Sequence, residues 1–115
     1  MMKKKLVKPW GHEILLEHNR KYVLKKLFMR KGHRCSLQFH KKKTETIYIL
    51  NGELKIFYGQ KNKKLKSKIF KPNQTITIKP KTIHRMQAIK NSTYLEASTP
   101  ELSDVIRLVD DYKRI

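Results

Sequence analysis

The sequence predicts an all-β fold, a sandwich or barrel of short strands, and three observations predict it. No segment sustains a helical period, several runs alternate apolar and polar residues or concentrate β-branched ones, and turn residues bound those runs at short intervals. A chain of 115 residues is one domain's worth; a globule of this size buries roughly two thirds of the surface its unfolded form exposes. Residues 1–115 are therefore expected to form a single domain, with residues 1–8 as a basic N-terminal arm.

Strands are expected over Glu13 to Leu16, Lys21 to Met29, Cys35 to His40, Thr44 to Leu50, Glu53 to Tyr58, Lys66 to Phe70, Gln74 to Ile78, Ile83 to Ala88 and Thr93 to Ser98. Between the fourth and fifth lies Asn51-Gly52, a pair that favours the type I′ hairpin because both of its central residues need positive φ. That turn would pair Ile49 with Leu54, Ile47 with Ile56 and Glu45 with Tyr58, giving an apolar floor with one carboxylate at its end. A buried carboxylate without a partner is costly; a metal ion would supply one, with Tyr58 beside it. Lys71-Pro72-Asn73 and Lys79-Pro80-Lys81 read as loops, since proline cannot donate to a sheet ladder. The tail from Glu101 to Ile115 alternates little, and Ser103 or Asp104 is placed to cap one short helical turn, so a short helical or irregular C-terminal tail is expected.

Composition narrows the function classes. The single cysteine, Cys35, excludes an intrachain disulfide and agrees with a reducing compartment. No apolar run is long enough to span a bilayer, so a cytoplasmic protein without a membrane partner is expected. The formal charge of +19 would suggest nucleic acid, but the 28 basic residues are 22 Lys and six Arg, scattered over nearly every loop with no aromatic-interleaved stripe. A lysine-rich genomic bias gives the same count; the other reading is attraction of an anionic ligand such as a sugar phosphate.

The chemistry concentrates in Gln38, His40, Glu45 and His84. Gln38 and His40 are two apart and so share a strand face; Glu45 opens the next strand after a turn through three lysines, and His84 arrives on a strand following Pro80. Amide, imidazole and carboxylate together suit a borderline divalent ion, zinc, manganese, iron, cobalt or nickel, without choosing among them. His12, His18 and His33 lack such a frame. Lys25 shares strand parity with Val23, Leu27 and Met29, so its amine either projects into the barrel or, with a shifted register, reaches water.

The frame Gly32, Gln38, His40, Glu45, Gly52 resembles the first cupin motif, with Gln38 in place of its usual first histidine, and Asn73 to Arg85 resembles the second. The likeness is closer to one branch, the C-terminal cupin domain of type II phosphomannose isomerases. Lys8-Pro9-Trp10-Gly11 looks like that branch's Arg-Pro-Trp-Gly opening, and Leu37-Gln38-Phe39-His40 like its Leu-Gln-x-His segment. Asp104 to Arg114 looks like its acidic closing stretch. The chain departs from the branch at Lys79-Pro80-Lys81, where a Pro-x-Gly is usual, and at Lys113, which replaces a glycine.

The resemblance implies a cupin-type double-stranded β-helix, or jelly-roll barrel. It implies one divalent ion, zinc favoured, on Gln38, His40, Glu45 and His84, and interconversion of a ketose phosphate and an aldose phosphate through an enediolate. Lys25, with a lowered pKa beside a cation, would be the base unless a metal-bound water takes that role. Arg85 would reach the ligand at the barrel mouth, with Tyr58, Arg107 and Arg114 as further substrate contacts. Cupins of this kind are often homodimers, and Trp10 and Phe57 would be exposed aromatics serving the interface. The alternative is a small metal-binding cupin that acts on or senses another sugar or nucleotide-sugar without isomerase turnover.

Overall fold

The computed structural model describes residues 4–114. Eleven strands run through the described residues: β1 Lys4–Lys8, β2 Gly11–His18, β3 Val23–Met29, β4 Leu37–Phe39, β5 Glu45–Asn51, β6 Leu54–Gly59, β7 Lys66–Phe70, β8 Thr75–Ile78, β9 Ile83–Ala88, β10 Ser92–Ser98 and β11 Ile106–Val109. They form two antiparallel sheets, one in the order β1-β2-β3-β10-β5-β8 and the other in the order β11-β4-β9-β6-β7. No helix among the described residues is long and apolar enough to cross a membrane.

The alternation of each strand decides which side chains meet between the sheets. In β5, Glu45, Ile47 and Ile49 are buried, and in β6 Leu54 and Ile56 are. With Leu27, Met29, Phe70, Ile78, Met86 and Tyr94 they make one core. Burying an Ile or Leu side chain contributes roughly 1.5–3 kcal/mol, so these inward rows hold the sheets face to face.

The expected hairpin at Asn51-Gly52 is not formed. β5 pairs with β10 and β8, whereas β6 pairs with β9 and β7, so the chain crosses from one sheet to the other at this corner. Gly52 alone of the pair has positive φ, at 89°, where a type I′ turn requires it of both residues. Glycine is needed here for a second reason: a Cβ would collide with the Asn91 carbonyl and the Ser92 side chain. Ser92 locks the corner, its Oγ accepting the Glu53 N–H at 3.0 Å and donating to the Lys90 carbonyl at 2.7 Å. Residues on both strands still face the shared interior, because alternation fixes the face of a strand and not its neighbour.

Both chain ends differ from expectation. Lys4 to Lys8 of the basic arm form an edge strand on β2, with Lys4 opposite Leu15 and Lys8 opposite Gly11; Met1 to Lys3 lie outside the described residues. Lysine on an edge strand discourages pairing with another chain. The tail has a turn at Leu102-Ser103 and then β11, which pairs with β4. The Asp104 carboxylate caps no helix; it accepts the backbone N–H groups of Lys41, Lys42 and Lys43 at 3.1, 2.7 and 3.0 Å.

Candidate metal centre and its cavity

Three strands and a turn deliver the cluster. Glu45 is the first residue of β5, His84 the second of β9, and His40 follows β4 directly. Both imidazole Nε2 atoms lie against the same carboxylate oxygen, Glu45 Oε1, at 2.9 Å from His40 and 3.1 Å from His84. The three side chains are at most 2% exposed. Across the β4–β9 and β9–β6 ladders, Gln38 and Tyr58 stand directly opposite His84.

The ring nitrogens on the far side settle the tautomers. His40 Nδ1 donates to the Asp104 carbonyl at 2.5 Å, and His84 Nδ1 donates to the Thr82 carbonyl at 2.9 Å. A carbonyl only accepts, so each Nδ1 carries a hydrogen, and in its neutral form each ring turns a lone pair on Nε2 towards Glu45. The buried Nε2 of His84 has no hydrogen-bond partner. With both rings neutral, two lone pairs and a carboxylate oxygen converge here, within 4.8 Å of one another. This arrangement fits a divalent cation, and carbonyls holding Nδ1 are the usual outer support of metal-binding imidazoles. Gln38 lies beside the cluster with its side-chain carbonyl accepting from Ser36 Oγ at 2.6 Å, which leaves that oxygen a second lone pair.

Burial acts to raise the Glu45 carboxyl, but a hydrogen bond from Glu96, and those that His40 and His84 give when Nε2 carries a hydrogen, outweigh it and hold the group well below the usual carboxylate range. For Glu96, burial, and then the charge and hydrogen bond of Glu45, push the carboxyl well above that range.

Beside the cluster opens a cavity of about 130 Å³, walled by Gln38, His40, Trp10, Leu27, Met86 and Tyr94 together with a set of charged side chains. Lys25 projects into it, its Nζ 2.8 Å from Glu13 Oε2, while Lys8 lies 3.2 Å from Glu13 Oε1. The lysine pKa was expected to fall beside a bound cation; without that cation the neighbouring carboxylates act the other way. Burial does act downward on Lys25, but Glu96, Glu13 and Glu45 surround it with negative charge and raise it overall.

The arginines divide. Arg107, opposite Gln38 on β11, and Arg114 both reach the cavity. Arg114 is held by Asp110, with Nε–Oδ2 at 2.7 Å, and lies over the Tyr112 ring. Arg85 does not reach the cavity. One residue beyond His84, it points to the other face of β9, where its Nε donates to the Cys35 carbonyl at 3.1 Å and its guanidinium lies 3.5 Å from Asp111. Trp10, expected to be exposed, is 5% exposed and part of the core, whereas Phe57 is half-buried.

Sequence reasoning passed over Glu13, Lys43, Tyr94 and Glu96, all of which line the cavity. The signal for Tyr94 and Glu96 was present, since two residues apart on one strand they share an inward face. For Lys43 there was none, because it sits in a run of identical neighbours.

A barrel of two facing antiparallel sheets with a His–Glu–His cluster on strands from both is a cupin. More narrowly, the chain belongs to the family described as mannose-6-phosphate isomerase C-terminal, whose model matches residues 1–99. The closing stretch from Asp104 to Arg114 lies outside that match.

Solved structures agree on the fold. The capsular polysaccharide assembling protein CapF from Staphylococcus aureus superposes with a TM-score of 0.81 at 12% identity, over 95% of this chain and 32% of that one. Oxalate decarboxylase from Bacillus subtilis gives 0.82 at 11% identity, over 92% and 30%. KdgF from Halomonas sp. gives 0.74 at 13% identity, over 88% and 89%. The chain spans about a third of the CapF and decarboxylase chains. A search of curated protein sequences finds no match.

Proposed function

We propose that the protein is a metal-dependent sugar-phosphate isomerase of the mannose-6-phosphate isomerase type, interconverting a ketose phosphate and an aldose phosphate. The observation that carries this is the convergence of His40 Nε2, His84 Nε2 and Glu45 Oε1, each imidazole fixed by a backbone carbonyl, beside a cavity rich in basic side chains. Family membership supports it. His40, Glu45 and His84 would hold the ion, with Gln38 completing the set; zinc is favoured, and manganese, iron, cobalt or nickel would also suit these donors. Such an ion, when bound, supplies Lewis acidity to the carbonyl and hydroxyl oxygens of the sugar.

The remaining work falls to the chain itself. The cavity is smaller than the several hundred Å³ usual for pockets that enclose a whole drug-sized ligand, so it takes one end of an extended sugar phosphate. Trp10, Leu27 and Met86 exclude water from that end, which strengthens every charge interaction inside it. The Lys25 ammonium is placed to donate to an oxygen on which negative charge develops. Both Glu13 oxygens are occupied by lysines, leaving Glu96 as the carboxyl group positioned to carry a proton between neighbouring carbons.

A coupled assay of fructose 6-phosphate and mannose 6-phosphate interconversion, on protein before and after chelation, tests the proposal. Turnover that disappears with chelator, and in His40→Ala, supports it. Ligand-induced stabilisation without product from metal-loaded protein would replace it with the sensing module.

A further inference from the structure

We infer that Lys43, Arg107 and the Tyr94 hydroxyl form the subsite for the phosphate of the substrate; this rests on the reading of the cavity as a sugar-phosphate site. Most charges in the cavity wall are already committed. Lys8 and Lys25 hold Glu13, and Arg114 holds Asp110. Three groups remain. Lys43 is 5% exposed, yet its amine has no carboxylate within 4.0 Å among the described residues. Arg107 Nε is buried without a hydrogen-bond partner, and so is the hydroxyl of Tyr94, a side chain with 0% exposure. All three line the same cavity.

Their shared chemistry identifies the ligand. An ammonium and a guanidinium N–H only donate, and a hydroxyl with no acceptor nearby has a hydrogen to give. Three unmet donors, two of them cationic, call for a group rich in acceptors and doubly negative. A phosphate monoester meets both conditions, whereas a carboxylate brings one charge and two oxygens. Of the nearby carboxyls, Glu13 is engaged on both oxygens, and Glu96, which feels the Lys43 charge without an ion pair to it, is hydrogen-bonded to Glu45.

The fold also selects which lysine enters. Asp104 ties down the N–H groups of three successive lysines, and in the turn so formed Lys41 and Lys42 are exposed while Lys43 is buried. A buried cation without a partner destabilises a protein, so Lys43 costs stability until its anion arrives.

This makes the test two-sided. Metal-loaded protein is titrated with inorganic phosphate, then with mannose 6-phosphate and with mannose, at about 0.15 M chloride, where exposed charges are screened. Lys43→Met and Arg107→Met should each weaken phosphate and mannose 6-phosphate binding about tenfold or more, leaving mannose unaffected. Lys42→Met, which alters the exposed neighbour, should change nothing. In the absence of phosphate, Lys43→Met should melt at a higher temperature than the wild type, an outcome that a structural ion-pair role for Lys43 would reverse.

Unchanged phosphate affinity in Lys43→Met, or a lower melting temperature for it, overturns the subsite. Should Arg107→Met fail to fold, Lys43→Met decides. Phosphate binding that is lost in the variants of a protein without isomerase turnover removes the reaction and keeps the subsite. Full turnover with an unchanged KM in Lys43→Met does the opposite.

Discussion

Two groups of buried polar atoms serve this barrel, and they are complementary. Around Glu45, with both rings neutral, acceptors face one another: two imidazole lone pairs and a carboxylate oxygen. In the cavity wall there are donors without acceptors: the Lys43 amine, Arg107 Nε and the Tyr94 hydroxyl. Each group by itself is unfavourable in a folded protein, because buried polar atoms ordinarily find partners. The comparison teaches that the two groups have opposite character: acceptors line the proposed cation site and donors the proposed anion site.

The largest effect should come from breaking the acceptor group. His84→Ala removes one converging nitrogen, and the proposed isomerase should lose roughly a thousandfold or more in kcat/KM; near wild-type turnover in the coupled assay would detach catalysis from the cluster. Next is the support behind it. Asp104→Ala keeps the backbone carbonyl that accepts from His40 but removes the carboxylate that pins the lysine turn. Loss of such outer support should weaken metal affinity about 10- to 100-fold, measured by competition with a chromogenic chelator.

Smaller effects sharpen the comparison by testing parts of the chain that belong to neither group. Lys81 and Lys113 have φ of 67° and 58°, the left-handed region that glycine adopts without strain. Each stands where the resemblance expects glycine, and each holds a backbone conformation that suits glycine. Lys81→Gly and Lys113→Gly should each stabilise by about 1 kcal/mol in urea unfolding, with metal binding unchanged.

Asp110 gives a pH dependence. Its ion pair with Arg114, followed by backbone N–H groups, brings the carboxyl down from the ordinary 3.8 to about 2. A carboxyl depressed in the folded state contributes stability that is present above its unfolded pKa and lost as pH falls through the folded one. The stability advantage of the wild type over Asp110→Asn should therefore be full above about pH 4 and shrink towards pH 2. A gap that does not change over that window would show the pair to be unimportant.

Much of this was legible in the sequence, and what was not has identifiable causes. The alternation in Glu45 to Ile49 and Leu54 to Ile56 gave the buried faces correctly, and the spacing of His40, Glu45 and His84 brought them together as expected. The partners of those strands were not legible, since a hairpin and a crossing between sheets place the same residues inside; only the Asn91 and Ser92 contacts at Gly52 distinguish them. Strand β1 was hidden because its lysines suit an exposed edge as well as a free arm, and β11 because four residues are too few to establish a period.

For Lys25 the sequence left the inward face and water both open, and the structure has it inward; Glu13 and Glu96, which arrive from neighbouring strands and raise its amine, were not legible. Arg85 failed for the converse reason. Its adjacency to His84 in sequence guarantees the opposite face in a regular strand, and no bend at the strand mouth returns it to the cavity.

The central claim is that the acceptors around Glu45 hold one divalent ion. Calorimetric titration of chelator-stripped protein with zinc, and in parallel with manganese, tests it most directly. The account predicts saturation at one ion per chain for at least one of these metals and loss of that binding in Glu45→Ala. Wild-type protein that takes up neither ion, or Glu45→Ala that binds as well as wild type, would contradict it.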